Sequence, residues 1–92
     1  MVSKIKVLVN VEYENKTIKK KFDIEYENKE EILYIALSEI KLILINDLDV
    51  EKNNLTLFPK FIKLEDEKVL KMILKCELFN DWEVIQNYHT FK

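Results

Sequence analysis

The chain has 92 residues and a net charge of −2, with 48% hydrophobic and 35% charged residues. These values predict one folded domain over residues 1–92, with a modest core, rather than a disordered chain. Glycine is absent. Because phosphate-binding loops, dinucleotide-binding motifs and nucleophile elbows depend on glycine, the composition disfavours those classes of enzyme.

The composition also bears on origin and compartment. All basic residues are lysine, and the chain is rich in Asn, Ile, Phe and Tyr, which indicates an AT-rich bacterial or phage genome. The longest apolar run, residues 32–37, is too short to span a membrane, and the first residues lack the apolar segment of a signal peptide. Cys76 is the single cysteine, so no internal disulfide can form. These features predict a cytoplasmic protein without membrane contact.

The first predicted element is a β-hairpin made of strands 4–13 and 18–26. Alternation of β-branched and polar residues with a period of two is typical of half-buried strands, and Leu8 is the exception on the polar face of the first strand. The connecting turn at 14–17 contains Asn15, which we expect to take the positive φ in the absence of glycine. Lys20 interrupts the apolar face of the second strand, so we expect that end at the rim of the sheet. The predicted inward residues are Ile5, Val7, Val9, Val11, Tyr13, Ile18, Phe22, Ile24 and Tyr26.

A helix is predicted from Asn28 to about residue 44. Asn28 followed by Glu31 has the spacing of a capping box. Apolar residues then recur at helical intervals, and we expect this face to pack on the hairpin. A polar loop at 46–54 follows. The predicted inward residues are Ile32, Leu33, Ala36, Leu37, Ile40, Ile43 and Leu44.

The second half of the chain has a less regular pattern. Residues 55–64 indicate one or two short strands around Pro59, which restricts them to an edge or a break. Residues 66–79 show helical spacing and predict a helix whose inward residues are Val69, Leu70, Ile73, Leu74 and Leu78. Residues 82–91 fit a strand or a helix, and we favour the strand. Taken together, the elements predict an α+β fold with an N-terminal β-hairpin and one main helix packed on a mixed sheet.

This order of elements resembles the ubiquitin-like β-grasp fold. In that family a stretch like Leu64–Leu70 leads into a short helical turn, and one like Asn80–Ile85 opens the last central strand. The chain ends in His89–Lys92, without the Gly-Gly tail that conjugation requires. The resemblance therefore implies the non-conjugated bacterial type, such as the small accessory proteins of type VII secretion, which act by binding rather than by catalysis.

The residues that could carry chemistry are few. His89 is the only histidine, so one chain cannot form a histidine-based metal site, and we expect it at the surface. We expect Cys76 to be buried as a small apolar residue, because no base stands beside it in the sequence to activate a thiolate. The serines, Ser3 and Ser38, lack the setting of a nucleophile. We therefore predict no catalytic residues and no cofactor.

Two charged segments invite a binding interpretation. Asp47, Asp49 and Glu51 have the spacing of a calcium loop, but Lys52 and Phe58 replace the glycine and glutamate that such a loop needs. We therefore interpret the acids as solvated loop residues and predict no metal. The lysines at 16 and 19–21 form the one basic patch. It lacks arginine and interleaved aromatic residues, so the sequence favours edge protection of a strand over nucleic-acid binding.

Large aromatic residues are concentrated in the last fourteen residues, at Phe79, Trp82, Tyr88 and Phe91. Core packing explains them most simply, but a small core has limited room for four such side chains. We predict that Trp82, Tyr88 or Phe91, with Asp81 on a polar rim, contributes to a protein-partner or self-association interface.

The function predicted from the sequence is a small non-enzymatic protein-interaction module, a ubiquitin-like adaptor or accessory protein. The alternative is a phage- or mobile-element-encoded inhibitor that binds a host defence or nucleic-acid enzyme. An enzyme would need a pocket with convergent titratable groups. A nucleic-acid-binding protein would show a steep salt dependence of its affinity.

Overall fold

The N-terminal hairpin is formed by β1 (Ser3–Tyr13) and β2 (Lys16–Tyr26), which pair antiparallel. The structure is a computed structural model that describes residues 2–78. The alternation predicted for β1 is confirmed, because Ile5, Val7, Val9 and Val11 are all buried. Lys20 lies on the edge strand β2, and its Nζ is 2.6 Å from Oδ2 of Asp47 in the helix that crosses the sheet.

The one α-helix within residues 2–78, α1 (Ile32–Leu48), packs on one face of the sheet. Its buried residues recur every four positions, as expected of one stripe facing a core. They are Ile32, Ala36, Ile40 and Leu44, and the prediction is confirmed for all four. The prediction that Leu33 faces inward is wrong, because Leu33 lies beside this stripe and is 38% exposed. The helix continues beyond residue 44 to Leu48, because Leu44, Ile45 and Leu48 still contact the core.

The predicted capping box at Asn28 and Glu31 is wrong. A 3₁₀ turn, Lys29–Glu31, separates Asn28 from the first residue of α1, and neither Asn28 nor Glu31 makes a side-chain capping hydrogen bond. The backbone N–H of Glu31 instead donates to the carbonyl oxygen of Asn28, at 3.0 Å. The tight turn therefore satisfies a backbone group that the side chain was expected to satisfy.

The second half of the described chain is a second hairpin, β3 (Leu55–Glu65) and β4 (Val69–Leu78), after a short 3₁₀ turn at Lys52–Asn54. β4 lies parallel to β1, which gives the strand order β2-β1-β4-β3. The residues around Pro59 form one edge strand with a register shift between Pro59 and Phe61, consistent with the predicted break.

The predicted helix at 66–79 is wrong, because most of that segment is β4. Its position inside the sheet explains the misleading pattern. Leu70, Met72, Leu74 and Cys76 are buried under α1, while Val69 and Ile73 are half-buried on the opposite face. A strand with apolar residues on both faces loses the simple period of two, and its apolar positions then imitate helical spacing.

The last central strand expected by resemblance at 80–85, and the strand favoured at 82–91, lie outside the described residues. β1 already has β2 on one side and β4 on the other, so the central strand parallel to β1 is Val69–Leu78. The structure therefore has the predicted α+β class, with an N-terminal hairpin and one helix on a mixed sheet. The short helical turn expected after Leu64 is replaced by the turn of the second hairpin.

The core lies between α1 and one face of the sheet. It is made of aliphatic side chains with methionine and cysteine, and no polar or charged residue is buried within residues 2–78. Its members come from all five elements and include Val7, Val11, Ala36, Leu44 and Leu74, each fully buried. We call the other side of the sheet, which α1 does not cover, the open face.

The absence of glycine puts acidic residues in left-handed backbone conformations. Within residues 2–78 these are Glu14, Asp49, Asp66 and Glu67, with φ between 49° and 56°. Glu14, and not Asn15 as predicted, takes this conformation in the first hairpin. The pairing of Tyr13 with Lys16 leaves a two-residue turn, and Glu14 is its first central residue.

Glu14→Gly is expected to stabilise the chain by about 0.5–1 kcal/mol. A left-handed conformation costs a residue with a Cβ about 1–2 kcal/mol, and part of that gain is offset by the greater freedom of glycine in the unfolded chain. Thermal melts should show an increase of a few degrees. Asn15→Gly, in the same turn but without positive φ, is the matched control and should not stabilise. Equal shifts for both variants would contradict the assigned turn.

Candidate interaction surface

Two of the residues considered for catalysis, Cys76 and Ser38, lie within the described residues, and neither has the surroundings of a catalytic group. Cys76 lies on β4 with 3% of its surface exposed, under α1. Burial, and secondarily the nearby Glu77 carboxylate, raises the pKa of the Cys76 thiol. A raised pKa keeps the thiol protonated at neutral pH and removes the thiolate that a nucleophile requires. Ser38 is exposed on α1. His89 lies outside the described residues.

Two of the acidic residues with calcium-loop spacing, Asp47 and Asp49, have separate structural roles. Asp47 pairs with Lys20, and Asp49 forms the left-handed end of α1, where its backbone N–H donates to the carbonyl of Ile45. Residues 2–78 contain no group of three His, Cys, Asp or Glu side chains placed to hold a metal ion. Across the same span, no helix combines the length and apolar character that crossing a membrane requires.

The most distinctive surface is a strip of apolar side chains across the open face, which we call the open-face strip. It consists of Leu8 on β1, Ile73 on β4, and Phe58 and Phe61 on β3. Phe58 is 42% exposed and Phe61 is 45% exposed, while Leu8 and Ile73 are half-buried. Leu8, Ile73 and Phe61 line a shallow groove of about 330 Å³. The strip is therefore an accessible apolar surface on the side of the sheet opposite the helix.

Strand register assembles this strip from distant parts of the sequence. Ile73 lies beside Asn10 of β1 and Phe61 of β3, and Phe58 lies opposite Lys75. Directly paired residues share a face of the sheet. The bulge between Pro59 and Phe61 matters here, because the extra residue brings both Phe58 and Phe61 to the open face. Sequence reasoning missed the strip because Leu8 was read as an exception and β4 as a helix.

Lysines surround the open-face strip. Leu8 is flanked by Lys21 of β2 and Lys71 of β4. Lys19 of β2 lies opposite Asn10, the next residue of β1 on the same face. Neither Lys19 nor Lys21 forms an ion pair with another described residue. The lysine patch recognised in the sequence is therefore divided by the strand. Lys19 and Lys21 point to the open face, whereas Lys20 points toward α1.

Glu65 and Glu12 neutralise part of this lysine rim. One Oε of Glu65 lies 3.2 Å from Nζ of Lys71 and 3.6 Å from Nζ of Lys63, and Lys60 reaches Glu12 at 2.7 Å. The hydrogen bond from Lys71 lowers the pKa of Glu65, so this carboxylate stays ionised to a lower pH than usual. On the β2 side of the strip, Lys19 and Lys21 have no such ion pair among the described residues, and Asp23 lies two residues beyond Lys21 on the same face.

A second exposed apolar region lies on the outer side of α1. Tyr34 is 74% exposed and Leu42 is 54% exposed, one on each side of Ser38. A shallow groove between α1 and the start of β3 is lined in part by Leu37, Leu55 and Leu57. This region is less continuous than the open-face strip, because Ser38 and Lys41 interrupt it.

The C-terminal interface residues predicted from the sequence, Asp81, Trp82, Tyr88 and Phe91, lie outside the described residues, so their role stays a prediction. Comparisons with known proteins find no matching family model, no similar curated protein and no similar solved structure.

Proposed function

We propose that the chain is a non-enzymatic protein-interaction module that binds its partner through the open-face strip. The observation that carries this proposal is the conjunction of exposed Phe58 and Phe61 with Leu8 and Ile73, inside a lysine rim. Apolar anchors surrounded by polar or charged residues are the arrangement that protein interfaces use. The partner surface should present apolar side chains flanked by Asp or Glu, complementary to Lys19 and Lys21.

The resemblance to ubiquitin-like proteins supports the same function. Within residues 2–78, the order hairpin, helix, hairpin, with β4 parallel to β1 in the centre of the sheet, agrees with a β-grasp-like adaptor or accessory protein. The protonated, buried Cys76 and the lack of a polar residue in the described core support a role without catalysis. We place this role in the cytoplasm, as the sequence predicted.

Nucleic acid is the competing class of partner, because the structure brings two phenylalanines to the lysine-bearing face. Single-stranded nucleic acid binds to such combinations of stacking rings and positive charge. We favour protein because the centre of the strip is aliphatic, at Leu8 and Ile73, and because no arginine is available for phosphate or base contacts. A nucleic-acid partner would give nuclease-sensitive binding that weakens steeply with salt.

The proposal is tested by affinity capture from the source organism with the full-length chain and three variants. Ile73→Lys removes an apolar anchor from the open face, and Lys21→Glu reverses a rim charge. Tyr34→Lys introduces a lysine on the opposite side of the molecule and is the matched control. Truncation of an interface anchor typically costs about 2 kcal/mol or more, so Ile73→Lys should lower capture at least about tenfold.

We expect Lys21→Glu to weaken capture, and Tyr34→Lys to leave it unchanged with all variants folded by circular dichroism. A parallel Trp82→Ala variant tests the alternative interface, which the sequence predicts in the C-terminal segment. Loss of capture by Trp82→Ala or Tyr34→Lys, with Ile73→Lys unaffected, would place the interface elsewhere and refute the open-face proposal.

A further inference from the structure

The outer edge of β3 is the second unusual surface of the described chain. β3 is the last strand in the order β2-β1-β4-β3, so one side of its backbone has no strand partner among residues 2–78. Phe61, Ile62 and Leu64 are between 40% and 45% exposed along it. A long edge strand with exposed apolar side chains is a template on which another strand can pair.

The helix leaves this half of β3 uncovered on both faces. Ile62 and Leu64 pair with Met72 and Leu70, so their side chains lie on the same side of the sheet as α1. Met72 and Leu70 are buried, yet Ile62 remains 40% and Leu64 41% exposed. α1 instead approaches the first residues of β3, at Leu55 and Leu57. Among the described residues, the segment 61–64 therefore has a backbone edge without a strand partner and apolar side chains on both faces.

The opposite edge of the sheet is protected, which makes the contrast informative. β2 carries lysine at positions 16, 19, 20 and 21, and lysines on an edge strand oppose pairing with another chain. β3 has two lysines, Lys60 and Lys63, against four on β2, and its other protection is Pro59 and the adjacent bulge, which interrupt only the middle of the strand. The far half, from Phe61 to Leu64, lies beyond that interruption.

We propose that two copies of this chain pair antiparallel through the 61–64 edges of β3 and join their four-stranded sheets into one. Such a pair would be two-fold symmetric, with Ile62 opposite Ile62 of the second copy. The occupant is a second copy because the segment complements itself. In this register Phe61 of each copy lies opposite Lys63 of the other, where the lysine stem covers the ring and its ammonium group faces the ring electrons.

The alternative symmetric registers are less favourable. Centring on Lys63 would place two ammonium groups directly opposite each other, which is destabilising. Centring on Phe61 would run into the bulge and Pro59, which lacks a backbone donor. Centring on Leu64 would bring Ile62 opposite Asp66, which is in the turn with φ of 49°. The inference shares Phe61 with the open-face strip but rests on the backbone edge of β3, and joining the sheets would also bring the two open-face strips side by side.

Register-specific crosslinking tests this proposal on the full-length chain. Directly opposite residues of an antiparallel pair have Cβ atoms about 4.5–5.5 Å apart, close to disulfide geometry. Ile62→Cys should therefore form a disulfide-linked dimer under mild oxidation. Lys63→Cys is the matched control. In this register the two residues at position 63, one in each copy, are diagonal neighbours whose Cα atoms are farther apart than a disulfide allows. The native Cys76 is 3% exposed and should not compete.

Sedimentation equilibrium provides a second measurement without cysteine substitution. The interface is small, so we expect a reversible dimer in the range of about 10 µM to 1 mM. Ile62→Lys should weaken it at least about tenfold and leave the melting temperature nearly unchanged, because Ile62 is outside the core. A wild-type chain that stays monomeric at 1 mM (about the upper limit of that range) would overturn the proposal. Faster crosslinking of Lys63→Cys than of Ile62→Cys would overturn the register.

Discussion

Replacing Ala36 by lysine is expected to lower the free energy of unfolding by several kcal/mol. Ala36 is fully buried on the stripe of α1 that faces the sheet. No polar or charged residue is buried among residues 2–78, so the new ammonium group would have no ion-pair partner there. The larger side chain would also overpack a dense interior. Small domains are stable by only about 5–15 kcal/mol, so the variant should unfold at a much lower urea concentration than the parent chain.

Tyr34→Lys is the control for this experiment. It introduces the same side chain two residues earlier on the helix, where Tyr34 is 74% exposed. An exposed substitution of this kind usually changes stability by about 0.5 kcal/mol or less. If the urea midpoints of the two variants were equal, α1 would not dock on the sheet through Ala36.

The second large effect is expected for Met72→Ala, at about 2–5 kcal/mol of lost stability. Met72 is 2% exposed on β4, opposite Val9 of β1 and Ile62 of β3. Truncation removes apolar contacts in the centre of the sheet and leaves a cavity that its neighbours fill only in part. Thermal and urea unfolding measure the loss.

Ile73→Ala separates the strand from the helix predicted for this segment. In the helical interpretation, Ile73 was an inward residue and Met72 was not. In the structure, Met72 is buried under α1 and Ile73 is half-buried on the open face. Ile73→Ala should therefore cost clearly less than Met72→Ala, at about 1 kcal/mol. The reverse order of the two losses would contradict the placement of β4.

The first hairpin and α1 could be predicted from the sequence because each buries only one face. In β1, the valines at 7, 9 and 11 alternate with mostly polar residues, and in α1 a single apolar stripe contains Ala36 and Ile40. For such amphipathic elements, the period of the pattern reports the secondary structure directly. The predicted end of α1, at about residue 44, was less accurate. The helix continues to Leu48, through a segment whose Asn and Asp residues had indicated a loop.

β4 was not predictable in the same way, since its two faces are both partly apolar. Val69 and Ile73 contribute to the open face while Leu70, Met72 and Leu74 contribute to the core. The turn before it was also concealed. Asp66 and Glu67 take the positive φ angles of the type I′ turn that closes this hairpin, where glycine or asparagine would have signalled a turn.

The open-face strip depends on strand register, which the sequence does not display. Leu8, Phe61 and Ile73 are far apart along the chain, and only the parallel pairing of β1 with β4 and the bulge in β3 bring them together. The one available signal was Leu8, an apolar residue at a polar position of an otherwise regular alternation. Such an exception marks an apolar contact on the solvent side of a strand.

Methyl NMR of the full-length chain bound to its captured partner tests the central claim most directly. Leu8 and Ile73 report on the open face, and Leu42, which is 54% exposed on α1, reports on the opposite side of the molecule. Binding through the open-face strip predicts that the methyl resonances of Leu8 and Ile73 shift or broaden on titration while those of Leu42 remain in place. Shifts at Leu42 with Leu8 and Ile73 unchanged would contradict it.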